Sequence, residues 1–226
     1  MHNGVNVDEF SSVKVAGLQI EGEAGRPVEA AFNLIASDRI TGSTVNTTNT
    51  FEAVTEFETS NRALFSQAVF RCNAQAGDAL SDTDRIYPSA FTLKFSRKLL
   101  GVRTVGSNSD AVDEPTNDGL PECTLSLTFP RYTGATHFSD WDAAAPKKLD
   151  ITFTGATIEA PYRRVIKLSF PNLAYKGVEL PVKRGLLEHP VEFTCLGADS
   201  APSGMTGLLE PFGLSLINRQ GADVLG

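Results

Sequence analysis

The chain is predicted to be mainly β: an antiparallel β-sandwich or barrel with one short flanking helix and long loops. Three observations predict this. Most apolar segments alternate apolar and polar residues with a period of two, as half-buried strands require. These segments are short and are separated by turn-forming clusters of Gly, Pro, Asn and Asp, the pattern of a sandwich or barrel. Only one stretch carries a helical signature. At 226 residues the chain can bury a sizeable core. Residues 1–226 are read as a single domain, with 37–60 a loop or arm and 200–226 a C-terminal strand and tail.

In residues 12–21, Val13, Val15, Leu18 and Ile20 define a strand whose phase changes near Gly17, where a glycine suits a bulge. A turn over 22–27 leads to a second strand over 28–36, and the pair reads as an antiparallel hairpin. Residues 37–58 are polar and rich in Thr and Asn, so they read as loop. Strands resume at 64–72, at 90–99 with Phe91, Leu93 and Phe95 on one face, and at 123–129 with Cys123, Leu125, Leu127 and Phe129 on one face. Between the last two, residues 105–120 are acidic and turn-rich. The helix is expected within 132–145, around Phe138 and Trp141, with Ser139 as a cap and Pro146 as its stop. Further strands are expected at 148–155, 162–170, 178–184, 189–198 and 212–219. A short internal likeness, residues 27–38 against 190–200, suggests one β unit used twice.

Composition narrows the function. The formal net charge is −7, which opposes tight nucleic-acid binding, since neutralising phosphates needs clustered Lys and Arg. No stretch approaches the roughly 18–20 apolar residues of a membrane span. The N-terminal residues lack the basic flank and apolar run of a secretory signal. The three cysteines, Cys72, Cys123 and Cys195, suggest no disulfide framework, and a reducing compartment is the simplest reading. A single Cys123–Cys195 bridge stays open.

No catalytic, cofactor or metal site is expected. His2, His137 and His189 are far apart in sequence and lack zinc-type spacing. His137, beside Phe138 and Trp141, reads as a packing or surface residue. Cys123 and Cys195 lie on apolar strand faces, where a thiol acts as a small hydrophobe. The chain has no nucleophile elbow, phosphate-cradling loop or dinucleotide fingerprint. Asp78, Asp82 and Asp84, and the group Asp110, Asp113, Glu114 and Asp118, lack the Gly and terminal Glu of a calcium loop and read as solvated acidic loops. Arg163, Arg164 and Lys167, with Lys183 and Arg184, sit among acidic residues, so inter-subunit ion pairs or solvation are expected of them rather than a nucleic-acid patch.

In order and local pattern, these segments resemble the tail tube (major tail) proteins of long-tailed phages. The likeness is carried by the strand–loop–strand of residues 13–28, the Thr-rich linker and the strand at 65–72. It continues through strands 91–95 and 125–129, the short helix around Phe138 and Trp141, the strand at 149–155, and the closing segments 166–175 and 190–196. The resemblance implies a β-sandwich subunit with a flanking helix. It also implies hexameric rings that stack with one another, contact with other tail proteins, and a lumen through which DNA passes without specific binding. The protein is then a structural virion component with no enzymatic activity, located in the phage tail and in the host cytoplasm during assembly. Gln19, Glu21, Glu29 and Asn33 are the expected lumen-facing residues; the alternative is that they simply face solvent. One departure is that the chain opens almost at once in a segment placed inside the family domain. An N-terminal portion is therefore expected to be missing, processed or differently arranged. Other readings stay open: a tail terminator, a baseplate ring protein, a carbohydrate-binding or adhesion sandwich, or an enzyme on a jelly-roll scaffold.

Overall fold

The computed structural model describes residues 8–41, 62–102, 115–132, 134–179, 182–183 and 186–218. Sixteen strands and one helix follow in chain order: β1 (Asp8–Ser11), β2 (Lys14–Glu23), β3 (Glu29–Ile35), β4 (Asp38–Thr41), β5 (Ala68–Ala74), β6 (Arg85–Ile86), β7 (Ala90–Ser96), β8 (Leu99–Leu100), β9 (Thr116–Asn117), β10 (Glu122–Phe129), α1 (Thr136–Asp142), β11 (Lys147–Glu159), β12 (Tyr162–Val178), β13 (Val182–Lys183), β14 (Leu186–Leu187), β15 (His189–Leu196) and β16 (Gly213–Ile217). The large sheet has the order β3-β2-β7-β10-β15-β12-β11-β5-β6, with β16 added to β12. It begins at β3 and ends at β6 without closing into a barrel. The fold is mainly antiparallel β with one helix, as the alternation predicts, and is consistent with a sandwich.

The described residues fall into two compact units. One takes residues 8–19, 31–41, 95–102 and 115–122; the other takes 20–30, 62–94 and the described residues from 123 on. In the first unit β1 pairs β4 from Asp8↔Thr41 to Ser11↔Asp38, and β8 pairs β9. The Lys14 Nζ donates to the Pro115 carbonyl at 2.9 Å. The segment expected as a loop or arm over 37–60 is thus entered by β4, and its residues 42–60 lie outside the described ones. So do Asp110, Asp113 and Glu114 of the acidic loop.

The second unit holds the principal core. Cross-strand pairs stack apolar side chains in register: Leu125↔Phe193 and Leu127↔Val191, Leu149↔Phe170 and Ile151↔Leu168, and Phe70↔Ile151 through an adjacent ladder. All of these residues are buried, and each such side chain contributes about 1.5–3 kcal/mol of hydrophobic stabilisation. At one side Phe65, Phe70, Phe91 and Phe153 form a ring cluster with centroids 5.7–6.3 Å apart, Phe65 stacked on Phe91 and the other pairs tilted or edge-on, arrangements that aromatic quadrupoles favour. Gly22 lies against this cluster. A Cβ there would stand 2.7 Å from Phe91 Cε1 and 3.1 Å from Phe65 Cδ2.

The structure departs from expectation in several places; among them, the strand expected over 64–72 begins only at Ala68, after a 3₁₀ turn over Phe65–Gln67. Along β2 the buried residues are Gly17, Ile20 and Gly22, and Val13 and Val15 are exposed, so these two valines do not form the buried face expected before Gly17. The glycine serves close approach instead: a Cβ would lie 3.1 Å from the Asn33 Nδ2. The helix starts earlier than a Ser139 cap requires. Ser139 lies inside it, with its N–H donating to the Ala135 carbonyl, and the helix ends before Ala144, which has a φ of 47°. Strand β12 does not stop at 170 but runs on to Val178. Finally, the two like segments occupy unlike places. Residues 29–35 form β3, exposed along most of its length, whereas 189–196 form β15, which is paired on both edges with alternate residues buried.

The long β12 carries two neighbours on one edge. Val165 to Ser169 pair with β16, and Asn172 to Val178 pair with β15. Pro171 falls between these stretches and also between the Phe170 and Leu173 rungs of the β11 ladder, where the register shifts. A proline has no N–H to give a ladder, so a seam between partners is where a central strand tolerates one.

Candidate assembly surface

The buried polar groups of the second unit are engaged in holding the sheet. Asp150 on β11 accepts two hydrogen bonds from Arg71 on β5, Nε to Oδ1 at 2.9 Å and Nη2 to Oδ2 at 2.7 Å, with the Lys167 Nζ 3.4 Å from Oδ2. This is the fork geometry of a strong charge-assisted pair, and it raises the Arg71 pKa above its ordinary value. Lys148 is fully buried and donates to the carbonyls of Gly77 at 2.6 Å and Ser203 at 3.2 Å. Lys167 therefore has an ion-pair partner within its own chain, where an inter-subunit pair or solvation was expected.

Helix α1 is attached by an aromatic and imidazole cluster. His189 is 3% exposed and is surrounded by His137, Phe138, Phe129 and Tyr132 with ring centroids 5.3–6.1 Å away. Its Nδ1 contacts the Glu179 carbonyl at 3.2 Å. The His137 Nδ1 lies 3.2 Å from the Tyr175 hydroxyl, which also reaches Asp140, and Asp140 pairs with Lys147 at 2.7 Å. Burial first, then neighbouring His189, lowers the His137 pKa below its ordinary value, and burial raises that of Tyr175. His137 is therefore a packing residue of the α1 contact. The two histidines are distant in sequence, and only the fold brings them together.

The remaining titratable clusters offer little to a ligand. The Asp84 carboxylate accepts from the Ser81 N–H at 2.8 Å and the Ser81 hydroxyl at 2.9 Å; the backbone hydrogen bond lowers its pKa. Asp82 pairs with Arg85 at 2.9 Å. Among the described residues, no three His, Cys, Asp or Glu side chains are arranged to hold a metal ion, and no helix is long and apolar enough to cross a membrane. A cleft of about 210 Å³ beside β16, lined in part by Arg62, Gln67, Phe153, Arg164 and Leu216, has no carboxylate, imidazole or thiol among its described lining residues.

What the structure leaves uncovered is strand. Among the described strands β3 pairs only with β2 and stands at the end of the large sheet; Phe32 and Leu34 on it are 58% and 60% exposed. Among the described strands β16 likewise pairs only with β12, and its Leu214 and Leu216 are exposed. An uncovered strand edge bearing apolar side chains is a template for pairing with another chain. Sequence reading missed Phe32 and Leu34, because local alternation does not reveal that a strand ends a sheet. Of the expected lumen residues, Glu21, Glu29 and Asn33 are exposed and Gln19 is half-buried. By strand alternation Gln19 and Glu21 share one face of β2, and Glu29 and Asn33 share one face of β3.

These features define a mainly β protein whose distinctive described surface is exposed strand. The chain belongs to the phage tail tube protein family, whose model matches residues 2–206. It is thus a structural component of the phage tail. No curated protein matches the chain.

Proposed function

We propose that this chain is the repeating subunit of the tail tube. In this reading copies associate into closed hexameric rings, the rings stack, other tail proteins bind the ends, and DNA passes through the lumen without specific binding. Assembly takes place in the host cytoplasm and the product resides in the virion. The observation that carries the reading is β3, which ends the sheet with Phe32 and Leu34 uncovered. Pairing that edge with a neighbouring copy satisfies its backbone groups and gives both side chains cross-strand neighbours. A head-to-tail contact of this kind closes into a ring when the rotation fits. The family match extends over residues in both compact units, which supports treating 1–226 as one tail-tube domain.

Gln19, Glu21, Glu29 and Asn33 are placed on the channel wall in this reading. The net charge of −7 supports it, since an acidic wall repels a polyanion and keeps it mobile. Negative-stain microscopy of the purified protein tests assembly: rings or tubes with a central hole are expected. Strictly monomeric particles at high concentration count against it. A tail terminator or baseplate ring protein would give single rings without long stacks.

A further inference from the structure

The β10–β15 ladder runs from Phe129↔His189 to Thr124↔Thr194, so the next step places Cys123 directly opposite Cys195. Both side chains point into the core and are 5% and 4% exposed. The two thiols lie within interaction reach of each other. Directly opposed residues of an antiparallel pair have Cα atoms about 4.5–5.5 Å apart, inside the window for a disulfide. Cys72, by contrast, faces Leu149 across β5 and β11, and burial pushes its pKa up to about 12.

We propose that Cys123 and Cys195 form a paired oxidation site, which a small peroxide converts to a disulfide joining β10 to β15 within one subunit. Position favours it. Cys123 is the second residue of β10 and Cys195 the last but one of β15, so the pair closes the end of the ladder, where strands open most readily. Cys123, the second residue of β10, is the first nucleophile in this scheme. The Cys123 thiolate attacks one peroxide oxygen; the O–O bond breaks, leaving Cys123 sulfenic acid and a hydroxide that takes a proton to become water. The Cys195 sulfur then attacks the Cys123 sulfur, the S–O bond breaks, and the departing oxygen leaves as a second water with the Cys195 proton. Two thiols lose two electrons and two hydrogens, and one peroxide becomes two waters.

The test treats the native full chain with hydrogen peroxide at neutral pH, then unfolds it in an alkylating reagent and maps the peptides. Alkylatable thiols are expected to fall from the three present to Cys72 alone. A linked Cys123–Cys195 peptide should appear and should be released by dithiothreitol. Cys72→Ser should lose both of its remaining thiols in the same way, and Cys195→Ser should instead leave a Cys123 sulfenic acid that dimedone traps. Three alkylatable thiols after treatment of the unaltered chain overturn the proposal. So does a bridge through Cys72, or oxidation of Cys123 to sulfinic acid with Cys195 still free. Should Cys195→Ser fail to fold, the peptide maps of the unaltered chain and of Cys72→Ser decide alone.

Discussion

The Asp150 carboxylate is buried against a guanidinium that keeps partial access to water, with side chains 3% and 22% exposed. Replacing it with Ala strands Arg71 beside a hole without a counter-charge. Asp150→Ala should cost about 3 kcal/mol, the lower end for breaking a buried pair because Arg71 retains some water. Urea unfolding measures this, and a loss under about 1 kcal/mol would mean the pair contributes as little as a surface one. His137 makes a pH prediction. Its folded-state pKa lies below the ordinary 6.5 through burial and through His189, with Asp140 opposing and Lys147 adding. As pH falls through 6.5 the unfolded chain takes up the proton first. The stability tied to this group is whole above that pH and is lost as pH falls toward the folded value. His137→Phe should flatten the fall in unfolding midpoint between about pH 7 and pH 5; parallel curves for the two proteins would refute the assignment.

At the scale of elements, the Phe65–Phe70–Phe91–Phe153 cluster admits β2 only because Gly22 presents no side chain. Gly22→Ala places a methyl group inside Phe91, a ring that is itself buried and has little room to give. The expected cost is about 1–3 kcal/mol, read from thermal or denaturant unfolding; an unchanged midpoint would show that the cluster yields. Strands such as β7 and β10 were legible from sequence because one face is buried, and Phe91, Leu93, Leu125 and Leu127 alternate with polar residues. The start of α1 was not legible: its N-cap is Ala135 without a side-chain hydrogen bond, so the usual cap signal points to Ser139, one turn too late. The extent of β12 was also hidden, since Pro171 looks like a terminator unless the change of neighbouring strand is known.

For the whole molecule, segment order and local pattern carried the resemblance to the family that the family model shows. The edge proposed for assembly was less readable, because Phe32 and Leu34 resemble core residues until the sheet is seen to end at β3. If copies associate through that edge, Asn33→Pro should remove a backbone donor and reduce ring formation in micrographs while leaving a folded subunit; abundant rings from that variant would exclude this edge. If Gln19, Glu21, Glu29 and Asn33 line a channel, changing them together to Lys should slow DNA passage, and infectivity equal to the unaltered phage would remove them from the wall. The seam at Pro171 bears on how the molecule comes apart. With no backbone donor there, the pairing of β12 to β16 and its pairing to β15 are separate zippers laid end to end on one rail. Amides of residues 213–217, at the uncovered margin, should therefore trade hydrogen for deuterium well before those of 191–195, and can do so while the inner zipper stays shut.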